Sequence, residues 1–219
     1  MAFRLSPGIS YCRVDGRLLF FDVCADRYFS LGADAQAAFE ALAADSSARS
    51  DHPALARPAL AGLVVEDAPF DLAPCARGPR ATDSLLDGAL PCVSFFACIA
   101  VLFGLARTRI QLRYLGLKVV LERLQAQAPR TPAPKDMGAI LTRVAAAFEA
   151  SARLARSHDQ CLARSLALAA ALAAPGIAAE LVIGVRLRPF AAHCWVQHGA
   201  TLINDRPDPV LSFTPIFRT

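Results

Sequence analysis

The eleven residues after Cys161, Leu162 to Leu172, are nearly all alanine and leucine and stop at Pro175-Gly176, whereas the apolar runs that follow are short and separated by turn residues. Such a change of period restricts the C-terminal part of the chain to helices packed on a late antiparallel sheet, an α+β arrangement. Ala179 to Leu187 is the first clear strand. Ala192 to Val196 and Thr201 to Asn204 follow, with Gln197-His198-Gly199-Ala200 as turn chemistry between them. If the turn centres on Gly199, His193 faces Asp205 on the same side of the hairpin. Cross-strand Cβ atoms are about 5 Å apart, within reach of a carboxylate–imidazole hydrogen bond. Strand alternation then sends Cys194 to the opposite face.

Cys161, His193 and Asp205 thus combine a thiol, an imidazole and a carboxylate in chain order. Cysteine hydrolases and acyltransferases use this set, because the imidazole takes the thiol proton and the carboxylate fixes the imidazole. A cysteine at a helix N-terminus meets a macrodipole that favours thiolate, and free backbone N–H groups there stabilise an oxyanion. Gln160 and Trp195 are candidates to supply or frame a second oxyanion donor beside the Cys161 N–H. Singly, each residue has a plainer reading: cysteine is a common small core residue, and a strand histidine is usually structural. Three ordered residues with compatible geometry favour chemistry. His158, just before Cys161, is an alternative candidate for the base but ranks below His193, having no carboxylate across a hairpin and polar neighbours that suggest an exposed loop. Zinc held by His158, Cys161, His193 and Cys194 is disfavoured because adjacent strand residues point apart. Arg164 and Ser165 share a helical face with Cys161, so each is a candidate for substrate contact or for helix packing.

The first seventy residues read as a separate small module. Ile9 to Val14 and Arg17 to Val23 are strand-like and meet at Asp15-Gly16, a strong hairpin signal. Arg27 to Leu31 is a third strand. Gly32 to Ala44 follows as a helix with Asp34 as N-cap and Ala37, Ala38, Ala41 and Leu42 inward. A shorter helix, Pro53 to Ala61, leads to Leu63-Val64-Val65. Residues 69–91 lose periodicity and gain proline and glycine, which reads as a linker. A helical block from about Val93 to Gln127 is expected to break near Gly104 to Arg109 and at Gly116, and another helix starts at Met137. The organisation is therefore 1–68, a linker 69–91, and 92–219.

The apolar run from Val93 to Ala106 is fourteen residues long, short of the roughly 20 that a spanning helix needs, so a buried helix and no stable membrane insertion are expected. With a net charge of +4 and scattered arginines, the chain carries no basic–aromatic stripe of a nucleic-acid binder. Seven cysteines without a regular pattern and no signal peptide at the N-terminus suit a reducing cytoplasm.

The string Cys161-Leu162-Ala163-Arg164-Ser165-Leu166-Ala167-Leu168, the Ala192-His193-Cys194-Trp195-Val196 strand and Asn204-Asp205 resemble the B proteins of lasso-peptide biosynthesis. Those proteins belong to the transglutaminase-like cysteine peptidases, and the resemblance runs from about Val93 to Thr219. It implies a papain-like, helix-plus-antiparallel-sheet domain with Cys161, His193 and Asp205 catalytic. The N-terminal module resembles the winged-helix-like, pyrroloquinoline-quinone D-type recognition element fused to many B proteins. That likeness implies binding of a precursor's leader segment by strand addition, at Arg27, Tyr28, Phe29, Ser30 and Leu31 with Leu55, Ala59 and Leu60. The implied activity is hydrolysis of the leader–core bond, in company with an asparagine-synthetase-like, ATP-using cyclase. No Gly-x4-Gly-Lys-Ser/Thr pattern occurs here, so ATP is expected to belong to the cyclase, and no cofactor or metal to this chain. Acyl transfer to an amine, and a non-catalytic scaffold presenting precursor to a partner, are the competing readings.

Overall fold

The structure, a computed structural model, describes residues 3–45, 52–67, 69–127, 134–152 and 161–219. The chain divides into two compact units, 1–76 and 77–219.

In the first unit β1 (Phe3–Leu5) is followed by β2 (Ile9–Val14), β3 (Arg17–Asp22) and β4 (Arg27–Ser30), the last three forming an antiparallel sheet in the order β2-β3-β4. Asp15 and Gly16 both take positive φ, 48° and 76°, as a two-residue hairpin of the primed type requires, and Val14 pairs with Arg17. Helix α1 (Ala33–Ala44) starts at Gly32 with no side-chain cap, so the expected Asp34 cap is instead a first-turn acid. Its buried face is Ala35, Phe39 and Leu42, with Ala38 half-buried. Ala37 and Ala41, expected inward, are exposed. Phe39 decides this: its ring meets Tyr11 and Phe20 edge-on at 5.2 and 5.3 Å, and the helix turns to bury it.

Two 3₁₀ turns, Pro53–Ala56 and Pro58–Leu60, replace the single helix expected from Pro53 to Ala61. Pro58 has no N–H to continue a helix, and it holds Arg57 extended at φ −82°, ψ 124°. β5 (Val64–Glu66) pairs antiparallel with β1. The first part of the expected linker belongs to this unit: Leu72 is buried, the Tyr11 hydroxyl donates to its carbonyl at 2.8 Å, and the Cys75 N–H donates to the Tyr11 carbonyl at 2.7 Å.

The second unit contains β6 (Asp83–Ser84), α2 (Phe95–Ala126), α3 (Met137–Ala152), α4 (Cys161–Ala173), β7 (Glu180–Leu187), β8 (Phe190–His198), β9 (Thr201–Leu202), the one-turn α5 (Pro207–Val210) and β10 (Thr214–Arg218). Its sheet runs β10-β7-β8-β9-β6. The remainder of the expected linker is built into it, since β6 pairs parallel with β9 and Gln197 donates to the Pro79 carbonyl at 3.1 Å.

The Ala/Leu face of α4 packs on β7 and β8, where Leu168, Leu172, Leu181, Val185 and Val196 are fully buried. Burying that many methyl-bearing side chains is the main force fixing the helix against the sheet. On the sheet's other face Ala81, Val182, Trp195, Leu202 and Val210 form a second apolar cluster with Phe213. Gly184 sits under it because a Cβ there would lie 2.7 Å from the Trp195 ring.

Helix α2 is continuous through Gly104 to Arg109 and breaks only at Gly116, with φ 77° and ψ 165°. It is also not the short buried helix expected. Its 32 residues are long and apolar enough to cross a membrane by length and composition. Its outer side exposes Phe95, Phe96 and Phe103. The expectation stopped the apolar run at Arg107, but Arg107 and Arg109 lie exposed on a helix that simply continues.

Candidate active site

Cys161 is the first described residue of α4, and His193 lies in the middle of β8. A hydrogen bond with the His193 imidazole is the largest influence on the Cys161 thiol. It holds the thiol below its ordinary value against the opposing effect of burial, and the backbone N–H groups of Cys194 and Leu162 add to it. On the other side of the ring, His193 Nε2 donates to Asp205 Oδ2, which leaves Nδ1 for the thiol. The Asp205 carboxylate, then the Cys161 hydrogen bond, push His193 up to about 9. A lowered thiol beside a raised imidazole favours proton transfer from Cys161 to His193, with the carboxylate behind the ring.

The hairpin register differs from expectation by one residue. Gln197 pairs with Leu202 and His198 with Thr201, so the turn is Gly199-Ala200 rather than a loop centred on Gly199. A regular strand in that register would set Asp205 across from Cys194, facing away from His193. Instead β9 ends at Leu202 and the chain bends through Ile203-Asn204-Asp205. The Ile203 N–H still donates to the Val196 carbonyl at 2.9 Å, the Asn204 side chain accepts from the Val196 N–H at 2.8 Å, and Ser84 Oγ donates to the Asp205 carbonyl at 2.6 Å. The carboxylate reaches the histidine because the strand is abandoned.

A buried network that the sequence does not announce ties these parts together. Ser165 Oγ, fully buried and one helical turn beyond Cys161, donates to the Cys194 carbonyl at 2.8 Å. It accepts from Asn204 Nδ2 at 2.9 Å. Helix, central strand and the Asp205 bend are thereby joined through two side chains. Ser165 therefore does not face substrate. Arg164 is likewise structural, donating to the Phe148 carbonyl and lying 3.9 Å from Glu149.

Trp195 is almost completely buried. Its indole N–H is already donated to Gln197 Oε1 at 2.9 Å, which corrects the expectation that it supplies an oxyanion donor. What it does is border the site: its ring stacks 6.1 Å from His193, and Phe213 lies 5.3 Å from the same imidazole. Gln160 and His158 fall outside the described residues. Among the described residues no group of three His, Cys, Asp or Glu side chains is placed to hold a metal ion.

Of the eight residues expected to bind a leader, Leu31 and Leu60 are buried in the core of the first unit, and Phe29 and Leu55 pack against it. Leu31 and Leu60 are thus core and line no groove. Phe29 stacks 5.3 Å from Phe20 and Tyr28 4.6 Å from Phe21. Arg27, Ser30 and Ala59 are exposed. β4 is an edge of its sheet.

An α-helix and antiparallel sheet that place a cysteine, a histidine and an aspartate in one hydrogen-bonded line define a papain-like class of site. The transglutaminase-like superfamily pattern matches residues 104–218, more than half of the chain, and the chain belongs to that superfamily. Among curated proteins, the microcin J25-processing protein McjB of Escherichia coli is 50% identical over 50 residues, 23% of this chain and 24% of McjB. The chain therefore aligns with about a quarter of that relative's length. No solved structure gives a significant match.

Proposed function

We propose that this chain is a cysteine peptidase of lasso-peptide biosynthesis that binds the leader of a ribosomal precursor and hydrolyses the leader–core bond. The observation that carries the reading is the Cys161–His193–Asp205 line inside a transglutaminase-like domain. The local identity with a microcin J25-processing protein points the same chemistry at a peptide precursor.

In this mechanism the Cys161 thiolate attacks the carbonyl carbon of the last leader residue, and the oxyanion leans on the backbone N–H of Cys161. The His193 imidazolium gives its Nδ1 proton to the nitrogen of the breaking amide bond, freeing the core's N-terminal amine. Neutral His193 then takes a proton from water as the hydroxyl adds to the thioester. Collapse releases the leader carboxylate and returns the thiolate–imidazolium pair. Asp205 holds the ring in place throughout. The freed amine is the group a cyclase would join to a side-chain carboxylate, with ATP consumed on the cyclase. Leader binding is assigned to the first unit, where β4 is an edge strand that an extended peptide can extend and Arg27, Ser30 and Ala59 are exposed.

The experiment is incubation of the purified chain with a leader–core peptide, with and without the cyclase and ATP. Two products whose masses sum to substrate plus water support hydrolysis, and a leader conjugated to an amine would mean acyl transfer instead. Cys161→Ala should abolish cleavage and keep leader binding; retained cleavage removes the reading.

A further inference from the structure

Among the described residues, neither the core nor the candidate site uses the outer face of α2, an amphipathic ridge. On the 100° per residue of a helix, Phe96, Ile99, Phe103, Ile110 and Tyr114 fall within about 60° of arc, a stripe about 27 Å long before the break at Gly116. These are large apolar side chains held in water: Phe96 is 80% exposed, Phe103 75% and Tyr114 76%. The opposite face, with Cys98, Val101, Leu105 and Thr108, is buried in the fold. Helix α2 packs there on α3 and α4, which leaves the outer face alone for contact with a bilayer surface.

The charges decide what the stripe fits. Between Phe95 and Leu121 there are four basic residues, Arg107, Arg109, Arg113 and Lys118, and no aspartate or glutamate. Arg107 lies about 45° to one side of the stripe's centre, with Arg113 about 75° and Arg109 about 115° to the other. All three are exposed. An apolar strip between two cationic rails matches a bilayer interface, where rings enter the acyl boundary and arginine stems reach back to the headgroups. A groove on a protein partner would need to enclose a convex ridge of three aromatic rings and neutralise cations on both its flanks. The family pattern begins at residue 104, so Phe95, Phe96, Ile99 and Phe103 lie before the segment that defines the shared domain.

The geometry points to α2 as an in-plane docking surface for an anionic lipid bilayer, holding the peptidase unit against the membrane with Phe96 and Phe103 inserted and Arg107, Arg109 and Arg113 on the headgroups. The full chain is tested by co-sedimentation with phosphatidylglycerol/phosphatidylcholine vesicles and with phosphatidylcholine vesicles at low salt, alongside two variants, Phe96→Ser/Phe103→Ser and Arg107→Gln/Arg109→Gln/Arg113→Gln. All five positions are exposed, so circular dichroism should be unchanged. The wild type is expected to bind the anionic vesicles and release them as salt rises. The arginine variant should bind about a hundredfold more weakly, from about fivefold for each of its three cations, and the phenylalanine variant at least about tenfold more weakly. Absence of binding, equal binding to both vesicle types, or unchanged binding by either variant overturns the proposal. So does a dimer in sedimentation velocity that the phenylalanine variant dissolves without any vesicle binding, which would make the ridge an interface between copies. Loss of cyclase-dependent cleavage in the variants without vesicle binding would assign it to a protein partner and overturn it equally.

Discussion

Replacing Asp205 with asparagine removes one negative charge and keeps the shape of the side chain, including an oxygen for the Arg206 N–H that Asp205 Oδ1 now accepts at 2.8 Å. The carboxylate is the first cause of the rise of His193 from 6.5 to about 9. That rise corresponds to about 3 kcal/mol of preference for imidazolium over imidazole. Both side chains are shielded, at 24% and 18% exposure, so solvent screening removes only part of it. Because Cys161 contributes to the same rise, about 3 kcal/mol is an upper bound for Asp205. In Asp205→Asn the imidazole should be largely neutral at neutral pH, and Cys161 loses the cation that holds its thiol below the ordinary value. An asparagine also permits the wrong tautomer, which in a hydrolase triad costs about 10⁴ in rate.

Cleavage by Asp205→Asn is therefore expected to fall by about 10² to 10⁴, and alkylation of Cys161 by iodoacetamide at pH 7 by about tenfold or more. Alkylation is read by mass spectrometry on the peptide containing Cys161, across pH, so the other cysteines do not interfere. The sign of the pH effect follows from His193. Its folded value is raised, so its contribution to stability is complete below about 6.5 and lost as pH rises through about 9. Wild-type cleavage should decline over the same upper range, where the proton for the leaving amine disappears. The Tm difference between wild type and Asp205→Asn should be largest near pH 6 and shrink above pH 9. An alkylation profile identical to wild type, with cleavage within about twofold, would refute the triad as drawn.

Three further outcomes follow from the geometry. Ser165→Ala leaves the buried Cys194 carbonyl and the Asn204 amide without their partner. It should cost about 1–3 kcal/mol in denaturant unfolding, and a double-mutant cycle with Asn204→Ala should give a coupling of at least about 0.5 kcal/mol. Gly184→Ala drives a Cβ to 2.7 Å from the Trp195 ring and 2.9 Å from Phe213 Cβ. A loss of about 1–3 kcal/mol is expected, with slower cleavage because both rings border His193, measured by unfolding and product formation on one preparation. Leu168→Ala, at a fully buried position on α4, should cost about 2–5 kcal/mol while leaving the alkylation profile of the remaining folded fraction unchanged.

How far these features were legible in the sequence depends on how local their causes are. Asp15-Gly16 announces its hairpin because the positive φ values are a property of those two residues. The run after Cys161 announces a buried helix because nine of its eleven residues, Leu162 to Leu172, are alanine or leucine. The parity of β8, which sends His193 and Cys194 to opposite faces, was readable, but the expected pairing of His193 with Asp205 rested on a register the structure does not have. The register was not readable, since alternation fixes which residues share a face but not where the turn is centred. The face of α1 was misplaced because alanines fit either side of a helix and Phe39 alone set the orientation. The expected linker dissolved into two units for a similar reason: Leu72, Pro79 and Ser84 are held by hydrogen bonds and packing from residues far away in sequence. Ser165 and Asn204 carry no signal in isolation, as each is an ordinary polar residue until the other two elements arrive.

The brevity of β9 explains why the site lies where it does. On an antiparallel strand, N–H and C=O groups of alternate residues point to the same edge. Val196 uses its N–H and carbonyl toward Asn204 and Ile203, so Cys194, two residues earlier, presents its own pair to that edge. A β9 that continued in register would occupy both groups with backbone and carry Asp205 to the wrong face. Because β9 stops after two residues, the Cys194 carbonyl is free to take the Ser165 hydroxyl and its N–H is free to face the Cys161 sulfur. The bend that ends the strand then delivers the carboxylate to His193. One truncated strand thus accounts for the seat of the helix, the stabilisation of the thiolate and the reach of the acid. Lengthening β9 by converting the 203–205 bend to regular strand should lose all three together, with the fold of the sheet intact.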